Sequence, residues 1–125
     1  MTNIKRLSDA ELEIMLLIWD EDSLVTSTAI LEKLAGKRDW KLPTLMTVLA
    51  RLVNKGFLLL EKRGRNNFYA PLISEETYRR AEGKNIFEKL YGSDLMTMVS
   101  SLVSSKAVSD EDLQDLRNYL NELDS

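Results

Sequence analysis

The chain has 125 residues, 44% of them hydrophobic and 30% charged, with a net charge of -3; this suits one ordinary domain, or a small domain with an oligomerising appendage. It contains neither cysteine nor histidine, so disulfides, thiolate and imidazole metal ligands, thiol nucleophiles and the usual neutral-pH general base are excluded, and no metal or cofactor is expected. The longest apolar runs are too brief to span a bilayer and the first residues lack the apolar core of a signal peptide, which makes the cytoplasm the expected location.

Ser8 followed three residues later by Glu11 forms a capping box, and Leu12, Met15, Leu16 and Trp19 carry an apolar face up to an acidic break at residues 20–22. This predicts a first helix ending near Trp19. Thr26 or Ser27 can cap a second, with Ile30, Leu31 and Leu34 facing inward and Gly36 near its end. A third helix opens at Pro43, whose missing N–H would be unpaired there anyway, and closes at Gly56, which takes the left-handed conformation cheaply. Leu45, Val48, Leu49 and Leu52 recur at i, i+3, i+4 and i+7 and predict its buried side. Thr44, Thr47, Arg51 and Asn54 form a polar stripe on another side. A major groove admits such a helix, and hydroxyls near its N-terminus reach base edges or phosphates.

Next come two short apolar segments, residues 57–62 and 67–70, flanking Arg63-Gly64-Arg65-Asn66. They predict a hairpin in which Gly64 and Asn66 tolerate positive φ. Alternation is missing in Leu58-Leu59-Leu60, which leaves the strand limits open. Arg63 and Arg65 then lie at the tip of a wing, beside the phosphate backbone or in the minor groove; a solvated hairpin tip is the competing reading. Helix, helix, helix, hairpin is the winged helix-turn-helix order. Trp19 lies on the apolar face of the first helix and Trp40 precedes the third, so core packing is expected for both rather than stacking on a base.

Pro71 ends the second strand, and Ser74 with Glu75 and Glu76 starts a new helix. Residues 1–73 are therefore expected as the DNA-binding domain and 74–125 as a helical domain, with helices near 75–91, 94–104 and 110–123, the last capped by Ser109 with Asp112 three residues on. The fold class is mainly α with a small β-hairpin wing. Apolar residues are numerous in this short second half, among them Ile86, Phe87, Leu90, Leu95, Met98, Val99, Leu102, Leu116 and Leu120. A segment of that size is too small to bury them alone. Pairing with a second copy covers them most simply, and two-fold symmetry is the commonest arrangement; folding back on the first three helices is the alternative.

The charge is divided in the same way. Residues 38–73 hold seven basic side chains (Arg38, Lys41, Arg51, Lys55, Lys62, Arg63, Arg65) against two acidic ones (Asp39, Glu61), while residues 74–125 hold six basic and eleven acidic. A phosphate-facing half joined to an acidic assembly half suits a repressor, although chance clustering of solvated charge gives the same count. The candidate DNA contacts are Thr44, Met46, Thr47, Arg51, Lys55, Arg63 and Arg65. An assembly module whose basic face meets an acidic protein is a second reading. Catalysis has only carboxylates such as Asp110, Glu111 and Asp112 to draw on, better read as charges favouring a helix N-terminus.

The run Leu7-Ser8-Asp9-Ala10-Glu11-Leu12-Glu13-Ile14-Met15 through Ile18-Trp19, Trp40 ahead of residues 44–56, then Gly64-Arg65-Asn66-Asn67-Phe68-Tyr69 and the tail Leu113-Gln114-Asp115-Leu116-Arg117-Asn118 resemble the penicillinase repressor family (BlaI/MecI/CopY type). The resemblance implies a homodimeric repressor on an operator with two-fold symmetry, controlling β-lactamase or related resistance genes, or copper-homeostasis genes. It implies that the third helix reads the operator, with Thr44, Thr47 and Arg51 at matching positions. Basic residues often found in staphylococcal-type members where this chain has Pro43 and Met46 are missing; Met46 offers apolar contact to a thymine methyl but no bidentate bonds to guanine. The resemblance further implies proteolysis downstream of a membrane-bound sensor protease, at the bond between Ser101 and Leu102, where the best-known members have Asn-Phe. Copper-responsive members carry C-terminal cysteines, and this chain has none.

Overall fold

A computed structural model describes residues 4–21 and 23–125; Asp22, part of the expected acidic break, lies outside them. The elements run α1 (Asp9–Trp19), β1 (Val25–Thr26), α2 (Ser27–Leu34), α3 (Leu42–Asn54), β2 (Leu58–Arg63), β3 (Asn66–Pro71), α4 (Glu75–Lys89), α5 (Leu95–Ser104) and α6 (Asp110–Asp124). The chain divides into two compact units, Met1–Glu82 and Gly83–Ser125. The first is a winged helix-turn-helix.

Each helix of the first unit starts and stops where its sequence supplies partners for the unpaired backbone. At α1 the capping box forms in both directions: the Glu11 N–H donates to Ser8 Oγ (3.2 Å) and the Ser8 N–H to Glu11 Oε1 (2.8 Å). Thr26, rather than Ser27, caps α2, its Oγ1 accepting from the Ala29 N–H at 3.1 Å. At the end of α3, Gly56 turns left-handed (φ +84). Its N–H then donates to Val53 O and that of Phe57 to Leu52 O (3.1 and 2.9 Å), which is a Schellman closure. Phe57 and Leu52, brought together by that closure, are both completely buried.

Ile14, Met15 and Ile18 of α1, Ile30 and Leu34 of α2, and Leu45, Val48, Leu49 and Leu52 of α3 meet Val25, Leu58 and Tyr69 of the sheet in one core. Each such burial contributes about 1.5–3 kcal/mol before chain entropy is set against it. The sheet has three strands in the order β1-β3-β2, all antiparallel. The expected hairpin is thus joined by a strand that sequence reading omits: Val25 pairs with Tyr69 and Thr26 with Phe68. The hairpin closes through two residues, Gly64 and Arg65, between the paired Arg63 and Asn66. Gly64 has φ +61, while Asn66 does not take the positive φ expected of it; positive φ at the first loop residue alone is the type II′ pattern.

The core continues into the first turns of α4. Tyr78 is buried; its Oη accepts from the Leu7 N–H at 3.0 Å, and its ring lies 5.9 Å from that of Trp19 and 5.6 Å edge-on from that of Phe57. Trp19 Nε1 donates to Ile73 O at 2.9 Å. Trp40 packs partly buried against the same core.

The helices of the second half follow the expected limits closely, α4 ending at Lys89 rather than Tyr91 and α5 starting after its cap Asp94. Ser109 and Asp112 form the second reciprocal capping box. No residue after Tyr78 is buried. Leu90 (72% exposed), Met96 (71%) and Leu123 (63%) lie open along with Leu95, Leu116, Tyr119 and Leu120.

Candidate nucleic-acid interface

The three buried leucines and one buried valine of α3 fix which side of that helix faces out. With 3.6 residues per turn, the direction opposite Leu45, Val48, Leu49 and Leu52 is centred on Pro43, Thr47, Ala50 and Asn54. All four are exposed, as are Thr44 and Arg51 on one shoulder of the stripe. Ala50 is absent from the sequence-derived set; the helical period alone would have found it, and its methyl keeps the centre of the stripe shallow enough for close approach.

The chemistry along the stripe is uneven. Thr47 Oγ1 donates to Pro43 O, four residues back, at 3.1 Å, leaving its lone pairs free to accept from a base amino group. Arg51 is exposed and forms no ion pair among the described residues. Met46 is half-buried and packs against the core, so only part of its side chain is available to a thymine methyl.

Lys55 departs from the set. Its ammonium lies 2.5 Å from Glu11 Oε1 and 3.2 Å from Arg6 O, joining the end of α3 to the start of α1. Glu11 is 2% exposed. Burial alone would raise its pKa, but hydrogen bonds from Lys55 and Ser8 and the Lys55 charge hold it below the ordinary value of 4.5. Lys55 therefore ties the end of α3 to the start of α1, and its ammonium is already engaged within the unit.

The wing basics also differ from one another. Arg63 is engaged by Glu61, Nε to Oε1 at 3.1 Å and Nη2 to Oε2 at 3.3 Å, and its guanidinium lies 5.4 Å from the Phe68 ring centroid. Arg65 sits in the two-residue loop, exposed and with no such partner among the described residues. The structure thus groups Thr44, Thr47 and Arg51 on one helix side, puts Arg65 at the wing tip, and ties Lys55 into the scaffold.

The family model for the penicillinase repressor matches residues 7–122. The chain belongs to the penicillinase repressor family. Within it, the chain is 34% identical over 122 residues to the penicillinase repressor of Bacillus licheniformis, covering 98% of this chain and 94% of that protein. It is 30% identical over 115 residues to the methicillin resistance regulatory protein MecI of Staphylococcus aureus (strain N315), covering 92% and 93%. The solution structure of the DNA-binding domain of the repressor BlaI matches with a TM-score of 0.54 at 38% identity, over 62% of this chain and 94% of that one. Bacillus licheniformis BlaI in monomeric form, in complex with the blaP half-operator, matches with a TM-score of 0.52 at the same identity and coverage. The penicillinase repressor family is one of DNA-binding repressors, not of enzymes.

Proposed function

We propose that this chain is a cytoplasmic, homodimeric repressor that reads an operator of two-fold symmetry with the exposed side of α3 and grips the adjoining backbone with Arg65 of the wing. Thr44, Thr47 and Arg51 support this, exposed together on one side of a helix whose apolar side is buried in the core and so presented rigidly. The BlaI half-operator complex supports the same use of the fold here. Relatives named for penicillinase and methicillin resistance support control of a β-lactamase-type or related resistance gene.

Dimerisation is supported by the second unit, whose apolar residues Leu90, Leu95, Leu116 and Leu120 stay exposed in the single chain. Ile86, Phe87, Met98, Val99 and Leu102 are half-buried beside them. A patch of that extent marks an interaction surface, and a second copy presents the same patch in return.

Induction through a membrane-bound sensor protease would act at Ser101–Leu102. This bond lies inside α5, where Ser101 Oγ donates to Thr97 O and Ser101 O accepts from the Ser105 N–H. A protease needs that turn unwound, and a unit without buried side chains opens locally at low cost. Incubation with an activated sensor followed by intact-mass measurement is expected to release the segment from Leu102 onward; an uncut chain contradicts this step.

Selection of bound duplexes from a random pool tests the main reading. Enrichment of an inverted repeat with half-sites about 10 base pairs apart, or a multiple of that, is expected. A pool that stays unenriched contradicts it.

A further inference from the structure

Arg63 ends β2 and Arg65 lies in the loop that follows it, yet the two present different charges to a polyanion. Along β2 the side chains alternate, with Leu58 in the core and Leu59, Glu61 and Arg63 on the outer face. Phe68 stands directly opposite Glu61 in register and so diagonal to Arg63. The guanidinium is therefore held from two directions: the carboxylate takes Nε and Nη2, and the ring lies 5.4 Å away. Both partners remain well exposed, 59% for Arg63 and 43% for Glu61. Such a surface pair adds little to folding stability. Its main effect is on charge, because it cancels one of the wing's cations within the strand, leaving Lys62 and Arg65 to act on phosphates.

We propose that Glu61 is a specificity-determining residue of the wing: by neutralising Arg63 it limits the sequence-independent hold on duplex DNA, so that discrimination rests on α3. This rests on the DNA-binding reading above. Affinity without sequence preference comes from counterion release, which scales with the number of cations delivered to phosphates. A cation already matched by its own carboxylate releases fewer counterions, and that carboxylate itself repels the backbone.

The test is a salt titration of the full chain on a duplex of scrambled sequence, comparing the wild type with Glu61→Gln, Arg63→Gln, the double variant and Arg65→Gln. Glu61→Gln should tighten binding and steepen the dependence of log K on log[salt] by about 0.9 for each wing in contact, which makes the loss between 50 and 200 mM salt about threefold greater per wing. The double variant should return to the wild-type slope, and Arg63→Gln alone should bind more weakly than wild type. On a selected site, Glu61→Gln should lower the ratio of specific to scrambled binding. An unchanged slope in Glu61→Gln overturns the proposal. So does a double variant whose slope falls as far as that of Arg65→Gln, since Arg63 would then be gripping phosphate despite Glu61. The scrambled-duplex readout needs no operator, so an unenriched pool leaves this measurement decisive in its own right. If Arg65→Gln alters binding to no duplex, the wing assignment fails and the Glu61 proposal with it.

Discussion

Lys55 shows how one residue type serves different ends in this chain. In the sequence it counts with the basic face; in the fold its ammonium completes a buried Glu11 carboxylate. Lys55→Ala should lower stability by about 2 kcal/mol, because it leaves a buried ionised group without its partner, an effect moderated by water entering where the partly exposed lysine stood. Chemical denaturation measures it. Glu11 also gives the unit a pH dependence. Its folded pKa lies below 4.5, so its contribution is complete above that value and is lost as pH falls through the lower, folded-state pKa. The stability difference between wild type and Glu11→Gln should therefore shrink on acidification below about pH 4.5. A difference constant across that window would show that the charge is unimportant. At the interface, Thr47→Val should change base preference by about 1–3 kcal/mol in competition binding if its oxygen accepts from a base edge. An unchanged preference assigns Thr47 to positioning. None of these distinctions was legible from residue type: Glu11 and Lys55 are 44 positions apart, and Arg63 and Arg65 differ only in which neighbours the hairpin register gives them.

Among the elements, the helices were legible and the sheet only partly. Ser8 with Glu11, Ser109 with Asp112 and the Leu45-Val48-Leu49-Leu52 spacing are local signals, and each helix forms where they place it. β1 has two residues, too few for any periodicity, and exists because Tyr69 and Phe68 offer their backbone to it. The consecutive leucines of β2 hid its alternation because Leu59 and Leu60 are both exposed near the wing while Leu58 alone is buried. Tyr78 was likewise unanticipated; one ring roots α4 in the first unit through Leu7, Trp19 and Phe57. Farther along α4, Gly83 occupies a helical position where an added Cβ meets nothing within 4 Å. Gly83→Ala should raise stability by about 0.5–1 kcal/mol, since alanine loses less backbone entropy and no contact opposes it. Thermal unfolding checks this, and a lowered midpoint would mean that the glycine meets a steric demand.

Across the whole molecule, charge excess and burial pattern both differ between the two halves of the chain. Among the described residues, those up to Tyr78 supply every buried side chain, whereas the acidic remainder exposes Met96 and several leucines. Sedimentation equilibrium should find a dimer, and Leu120→Glu should shift it toward monomer. The same variant should lose about a hundredfold or more in affinity for a two-half-site operator while keeping its affinity for a single half-site, because linkage of the two reading heads is lost. Equal losses on both would place Leu120 in folding rather than assembly. Footprinting on DNA upstream of the chain's own gene and its neighbours, across a salt series, distinguishes sequence-specific recognition by a dimer from diffuse attraction to the duplex. A discrete protected palindrome, with half-sites about one helical turn apart and a log–log salt slope of about -5 to -9, is the predicted result. Diffuse protection that vanishes with salt at every sequence would contradict it.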